Sequence, residues 1–412
     1  MKRRLLALLL LPTFAQGELR VHEWGTFTTF SNSRGTVMHW YSPFADPSVL
    51  PAFVQKGGAF MKGMVKTPVR METPVLYFYP DEPMEVDVEA WYMEGSITEF
   101  YPATVPNRPE RSTDVTVNRG FIMMPARWKG RLLPPNDKKA LSMIPAVSSD
   151  DRGAHYAAAR EVPDAWIFHH QTKFTDPETR EVRIEDQADK FIFYRGAGFH
   201  SNELWFTNLA EDEIQVTNIG EHVHAHGVLL EVRGQKARWS KLPSIAARVE
   251  KLEPISTSIQ GDWLPLDEAE SQLSGWFQST LTSEGLSEDE AAAMIATWHG
   301  TWFREPGLRA FTLMPRAQVD AILPLDIQPA PTELVRVFVN RHEMLSASKE
   351  EELATLIHDT RIPDLDAHKR LEALELGRFE PTALERALDV GRNRMHERYS
   401  EIRHAKKAGE GQ

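Results

Sequence analysis

The chain has 412 residues, 42% of them hydrophobic and 26% charged, which excludes a disordered or fibrous protein and suggests two or three folded units. It contains no cysteine, so disulfides, thiolate metal sites and cysteine nucleophiles are excluded. A formal net charge of −12 opposes phosphate backbones and anionic membrane surfaces, so nucleic acid is not an expected partner.

Residues 1–17 have the pattern of a secretory signal peptide. Lys2, Arg3 and Arg4 form a basic start, Leu5 to Leu11 an apolar run, and Ala15-Gln16-Gly17 a small-residue cleavage site. The run is far shorter than the ~20 residues that span a bilayer, so no membrane span is expected after cleavage. A periplasmic or extracellular destination follows. Cleavage leaves 44 Lys and Arg against 59 Asp and Glu, a net charge of −15.

Residues 18–265 read as a β-rich, sandwich-like domain. Glu85 to Ala90 alternates polar and apolar residues, and Phe191 to Tyr194, Glu213 to Ile219 and Val228 to Arg233 resemble it, with Pro and Gly between them. Fifteen of the 39 aromatic residues fall between 18 and 101. Such a density suits either a sugar-binding platform or a sandwich core.

Residues 266–345 read as a mixed helix and strand segment packed on this body. Ser287-Glu288-Asp289-Glu290 is a capping box that starts a helix through Phe303, stopped by Pro306-Gly307. Leu308 to Met314 and Leu334 to Val339 return as strands. The second is apolar on both faces and so expected at the centre of a sheet. Residues 346–412 read as a helical C-terminal module, with capping boxes at Ser348 to Glu351 and Thr382 to Glu385. The fold class expected is α+β: a β-rich sandwich-like body with a helical insertion and a helical C-terminal appendage.

The familiar nucleotide-binding, zinc-protease and serine-hydrolase motifs are absent from the sequence. Ser346-Ala-Ser-Lys349 matches S-x-x-K by chance, without its companions. His222-Val-His224-Ala-His226 admits two readings. His222 and His224 share a face on a strand and suit a zinc or copper ion; an exposed histidine patch in a turn suits the same residues. His155, Tyr156 and Arg160 suit either an anion site or a helix start with a surface ion pair. Met61 and Met64 are spaced as copper ligands or as gap-fillers. Trp298 and Trp302 share a helix face, as core residues do.

His22-Glu23-Trp24 and Arg70-Met71-Glu72 hold the richest chemistry. Arg70 and Glu72 fall on one face of an extended strand, a spacing suited to an ion pair. A carboxyl of Glu23 or Glu72 beside Trp24 suits a raised pKa and general acid catalysis. A structural Arg–Glu pair tying the sheet together is the competing reading.

Val21-His-Glu-Trp-Gly-Thr-Phe-Thr28, Arg70-Met-Glu-Thr-Pro-Val-Leu-Tyr-Phe-Tyr79 and Ile97-Thr-Glu-Phe-Tyr-Pro102 resemble motifs of a family of exported bacterial proteins with no established activity. Phe193-Tyr-Arg-Gly196 and Trp302 to Leu308 are similar to it too, so the resemblance runs from residue 21 to about 345. It implies export and a shared fold, but no reaction. The H-x-H-x-H run is not part of it.

Two functional expectations lead. One is an exported hydrolase acting on a polysaccharide or similar extracytoplasmic polymer. There Glu23 and Glu72 serve as acid and base with His22, and Arg70, Trp24, Glu99, Tyr101 and Arg195 hold the substrate. This reading requires the residues to converge. The other is a non-catalytic binding or envelope scaffold protein. A periplasmic metal-binding protein using His222 and His224 is a third. No cofactor is expected under the first two, and zinc or copper under the third. The sequence sets no oligomeric state.

Overall fold

The structure is a computed structural model and describes residues 17–42, 50–56, 66–106, 116–118, 121–123, 125–147, 153–175, 182–210, 213–248, 254–359 and 361–389. The leader expected at 1–17, apart from Gly17, lies outside these residues, as do Met61, Met64 and the C-terminal end beyond 389.

Among the described residues the largest sheet has ten strands. They are β1 (Leu19–Ser31), β2 (Gln55–Lys56), β3 (Val69–Pro80), β5 (Gly95–Tyr101), β11 (Ile192–Gly198), β14 (Gly227–Arg233), β15 (Lys236–Lys241), β17 (Leu264–Pro265), β18 (Gly307–Leu313) and β20 (Glu333–Met344). Their order across the sheet is β17-β15-β14-β18-β20-β1-β3-β11-β5-β2. A second sheet runs β10 (Val182–Asp189), β9 (Ile167–Thr175), β8 (Ala126–Leu133), β4 (Met84–Ala90) and β19 (Leu325–Gln328). A third runs β12 (Leu204–Ala210), β13 (Glu213–Asn218) and β16 (Ile255–Thr257), and β6 (Thr116–Asn118) pairs with β7 (Phe121–Met123).

Among the described residues the helices include α1 (Lys138–Met143), α2 (Ala154–Ala158), α3 (Leu266–Ser283), α4 (Glu288–His299), α5 (Arg316–Ile322), α6 (Ala347–His358) and α7 (Asp364–Glu372). A further helix spans residues 380–389. The protein is thus α+β with a β-rich body, as its alternating segments predict.

Side-chain alternation sorts the ten-stranded sheet into two apolar faces. Val21, Phe27, Leu76, Phe78, Tyr194 and Phe338 turn toward the second sheet and pack on Val88, Trp128 and Phe168. Trp24, Val75, Tyr77, Phe193, Phe311 and Val337 turn the other way, onto α2, α3 and α4 through Tyr156, Phe277 and Trp298. Burying each such side chain contributes about 1.5–3 kcal/mol. The third sheet covers the β14 and β18 end of the first face through Phe206 and Val216. The C-terminal helices close over Phe30 and Trp40.

β1 and β20 pair in parallel at the centre of the sheet, Trp24 opposite Val337, so both strands are covered on both faces. Strands from either side of residue 265 therefore interleave in one sheet. Gly25 sits where the β1–β3 register shifts. A Cβ there would stand 2.6 Å from Cε1 of Phe338, which explains the glycine in the first motif. In β3, Thr73 adopts φ 48° before Pro74. This kink puts Glu72 and Val75 on one face, although three positions separate them.

Two helix starts differ from expectation. Ser346, not Ser348, caps α6, its hydroxyl accepting from the Lys349 amide at 3.3 Å. The 380–389 helix already includes Thr382, because Pro381 fits the first turn, where its missing N–H costs nothing. The Ser287 capping box forms as predicted; α4 ends at His299 and continues as a π-helical turn, Gly300–Arg304.

Candidate functional site

A row of polar side chains, charged on all strands but β1, crosses six adjacent strands on the helix-covered face. Register builds it. Glu99 of β5 lies opposite Arg195 of β11, Ala197 opposite Arg70, Arg70 opposite Thr28 of β1, Thr28 opposite Arg341 of β20, and Glu343 opposite Arg309 of β18. The sheet thus sets Arg70, Glu72, Glu99 and Arg195 in one row.

The contacts are direct. Arg195 Nη2 donates to Glu99 Oε1 at 2.9 Å. Arg70 Nε stands 3.1 Å from Glu72 Oε1, and the Thr28 hydroxyl donates to Glu72 Oε2 at 2.6 Å. Arg378, in the 3₁₀ turn Gly377–Phe379, reaches down from the C-terminal module to Glu72 Oε1 at 2.8 Å. Arg341 Nη2 bridges Glu305 and Glu343, each at 2.6 Å. Arg309 lies 2.8 Å from Glu343 and donates to the carbonyls of Thr301, Trp302, Glu305 and Pro306, which fastens the π-helical turn to the sheet. Tyr41 lies under Arg70 and Trp40 under Arg378, at 4.6 and 5.2 Å from ring centre to guanidinium.

This belt holds five arginines against four glutamates. Burial alone would raise the Glu72 pKa; Arg378, Arg70, Thr28 and Arg341 outweigh it and hold it at about 2. Glu72 is therefore a permanent anion near neutral pH, not the general acid that a raised pKa would have made. His155 of α2 lies within the field of the belt. Burial, then Arg195 and Arg70, lower it to about 4, so its imidazole is neutral at pH 7. The belt surfaces at Arg378 and Glu305, whose side chains are 24% and 33% exposed.

The remaining residues expected at the site lie elsewhere. Glu23 is on the opposite face of β1, where it accepts from Arg336 Nε at 2.5 Å and from the Tyr194 hydroxyl. It is fully buried and cannot act with Glu72 across the sheet. His22 shares the belt's face but sits toward the start of β1, its Nδ1 2.9 Å from Glu290 Oε2. Glu290 also accepts from Tyr79 at 2.6 Å and from the Ser287 amide at 2.7 Å, so His22 extends the α4 capping box. Trp24 is wholly buried against Tyr77. Tyr101 packs edge-on to Phe53 at 4.8 Å in the same core. Neither offers a ring to a sugar.

The histidine run precedes β14 rather than lying on it. Glu203 lies between two of its imidazoles, 2.7 Å from His222 Nδ1 and 3.2 Å from His224 Nε2. His226 turns away to Glu284 at 3.2 Å. Among the described residues no group of three His, Asp or Glu is arranged to hold a metal ion. Tyr156 and Arg160 converge on Asp189, at 3.0 and 2.6 Å, as an internal pair rather than an anion site.

Arg341, Glu343, Arg309, Glu305 and Arg378 belong to the belt and were not anticipated. Arg341 and Glu343, two apart beyond the apolar part of β20, repeat the spacing of Arg70 and Glu72, and that signal was open to reading. Arg378 had none.

No family model and no curated protein matches the chain. Among solved structures, a yeast delta-COP-I mu-homology domain complexed with a Dsl1 WxWxV peptide aligns with 80% of this chain and 97% of its own, at 6% identity and a TM-score of 0.23. That score is too low to bear on fold or function.

Proposed function

We infer that the protein is an exported binding protein whose arginine belt takes an acidic group of an extracytoplasmic polysaccharide. One observation carries this reading: five arginines meet four carboxylates in one row, which opens to solvent beside Arg378 and Glu305. Arginine pairs bidentately with carboxylate and sulfate, which suits a uronate or sulfated residue. Glycoside hydrolysis by Glu23 and Glu72 is not favoured, because the two carboxyls lie on opposite faces of the sheet and a Glu72 held at about 2 by its arginines is a weak base.

Calorimetric titration with oligogalacturonates and with neutral cello-oligosaccharides tests it. Binding of the acidic series alone is expected, weakening as salt rises and lost in Arg378→Gln. Equal binding of both series, or none by the folded protein, overturns the reading. Shortening of the bound oligomers would move the assignment to a hydrolase.

A further inference from the structure

A cavity of about 390 Å³ lies at the junction of the ten-stranded sheet, the β12–β13–β16 sheet and the C-terminal helices. It is distinct from the belt, none of whose side chains line it. The apolar core between the two sheets opens into it through Ile214, Ile259, Leu308 and Met344.

Its other wall is charged. Glu231 of β14 is clamped there by Arg233 and Arg238, with Nε to oxygen distances of 2.6 and 2.8 Å. Lys349 of α6 joins them, its Nζ donating to the Leu374 carbonyl at 2.6 Å. Glu375 completes this side, and the Ser346 and Ser348 hydroxyls, 3.0 Å apart, stand beside it. The lining thus has three basic groups against two acidic ones. Burial lowers the Lys349 pKa against the pull of Glu231 and Glu375. A charged group so placed is found paired with an opposite charge.

A wall divided between apolar and cationic halves selects a ligand divided the same way. We propose that this cavity binds a small monoanion with an apolar body, a medium-chain carboxylate being the simplest form. The chain lies along Ile214, Ile259, Leu308 and Met344. The carboxylate meets Lys349 and the serine hydroxyls. A cationic head would face Lys349 and Arg238. A neutral head would gain nothing from the charges of Lys349 and Arg238.

Calorimetry on the full chain with octanoate, octanol and octylammonium tests this, one body with three heads. Octanoate is expected to bind one per chain, at least about tenfold more tightly than octanol, with no octylammonium binding. Lys349→Met keeps the stem and removes the charge, and should bring octanoate down to the octanol level. Ile259→Trp fills the apolar half and should abolish octanoate binding with the fold intact, which keeps the test decisive if Lys349→Met does not fold. Equal affinity for octanoate and octanol overturns the proposal, as does unchanged binding in either folded variant or no octanoate binding by the folded wild type. Arg378→Gln leaves octanoate binding unchanged, which separates this cavity from the polysaccharide belt.

Discussion

Replacing Glu72 with glutamine removes a charge that Arg70, Arg378 and Thr28 all contact. The side chain is 2% exposed, so solvent does little to compensate. A loss of about 3 kcal/mol is expected in urea titration, because a buried ion cluster deprived of one member leaves the others uncompensated. Glu23→Gln should cost a similar amount through Arg336 and Tyr194, whereas a carboxylate poised in an open catalytic cleft would give nearly none. Part of this was legible in the sequence. Arg70 and Glu72 are two apart, and a strand's period of two places them together. The same period separates Glu23 from His22 and Trp24, which puts the two groups on opposite faces of β1. The pairing of Glu99 with Arg195 was not legible, since register between strands 96 positions apart is set by packing.

At the scale of elements, caps and strand ends carry the surprises. Two serines compete to start α6, and only Ser346 makes the capping bond. Ser346→Ala should lower the melting free energy by about 1 kcal/mol and Ser348→Ala by a few tenths, measured by thermal unfolding. The capping box at Ser287 was readable because its partner lies three residues away. Its extension to His22 and Tyr79 was not, because those partners come from strands more than two hundred positions distant. β20 was expected at the centre of a sheet from its two apolar faces, and it lies there. Its end, Arg341 to Met344, carries the charges that a strand buried on both faces admits only when each is paired.

Across the molecule, burial of titratable groups sets the response to acid. His200 and His342 are held at about 3 by burial, and His155 at about 4 by burial, Arg195 and Arg70. Unfolding raises each toward the ordinary histidine value of about 6.5, so the unfolded chain binds more protons below that pH. Stability should begin to fall below about pH 6.5 and continue falling toward pH 3. The depressed Glu72 adds about 3 kcal/mol that is present above the ordinary carboxylate range and is lost as pH falls from about 4.5 to 2. Urea midpoints across pH 3 to 8 check the sign. A midpoint that rises on acidification from pH 6.5 to 4.5 would contradict the buried histidines.

The parallel pairing of β1 with β20 sets Arg20 opposite Glu333, so β1 gains its central neighbour only once residues more than three hundred positions further on are present. Closing a loop of that length delays every contact that depends on it, and domains built on such long-range pairings fold slowly. Until then β1 can pair on one side alone, with β3, and its other edge stays open to strands of neighbouring molecules. During synthesis the centre of this sheet therefore cannot close ahead of β20, the last of its strands among the described residues.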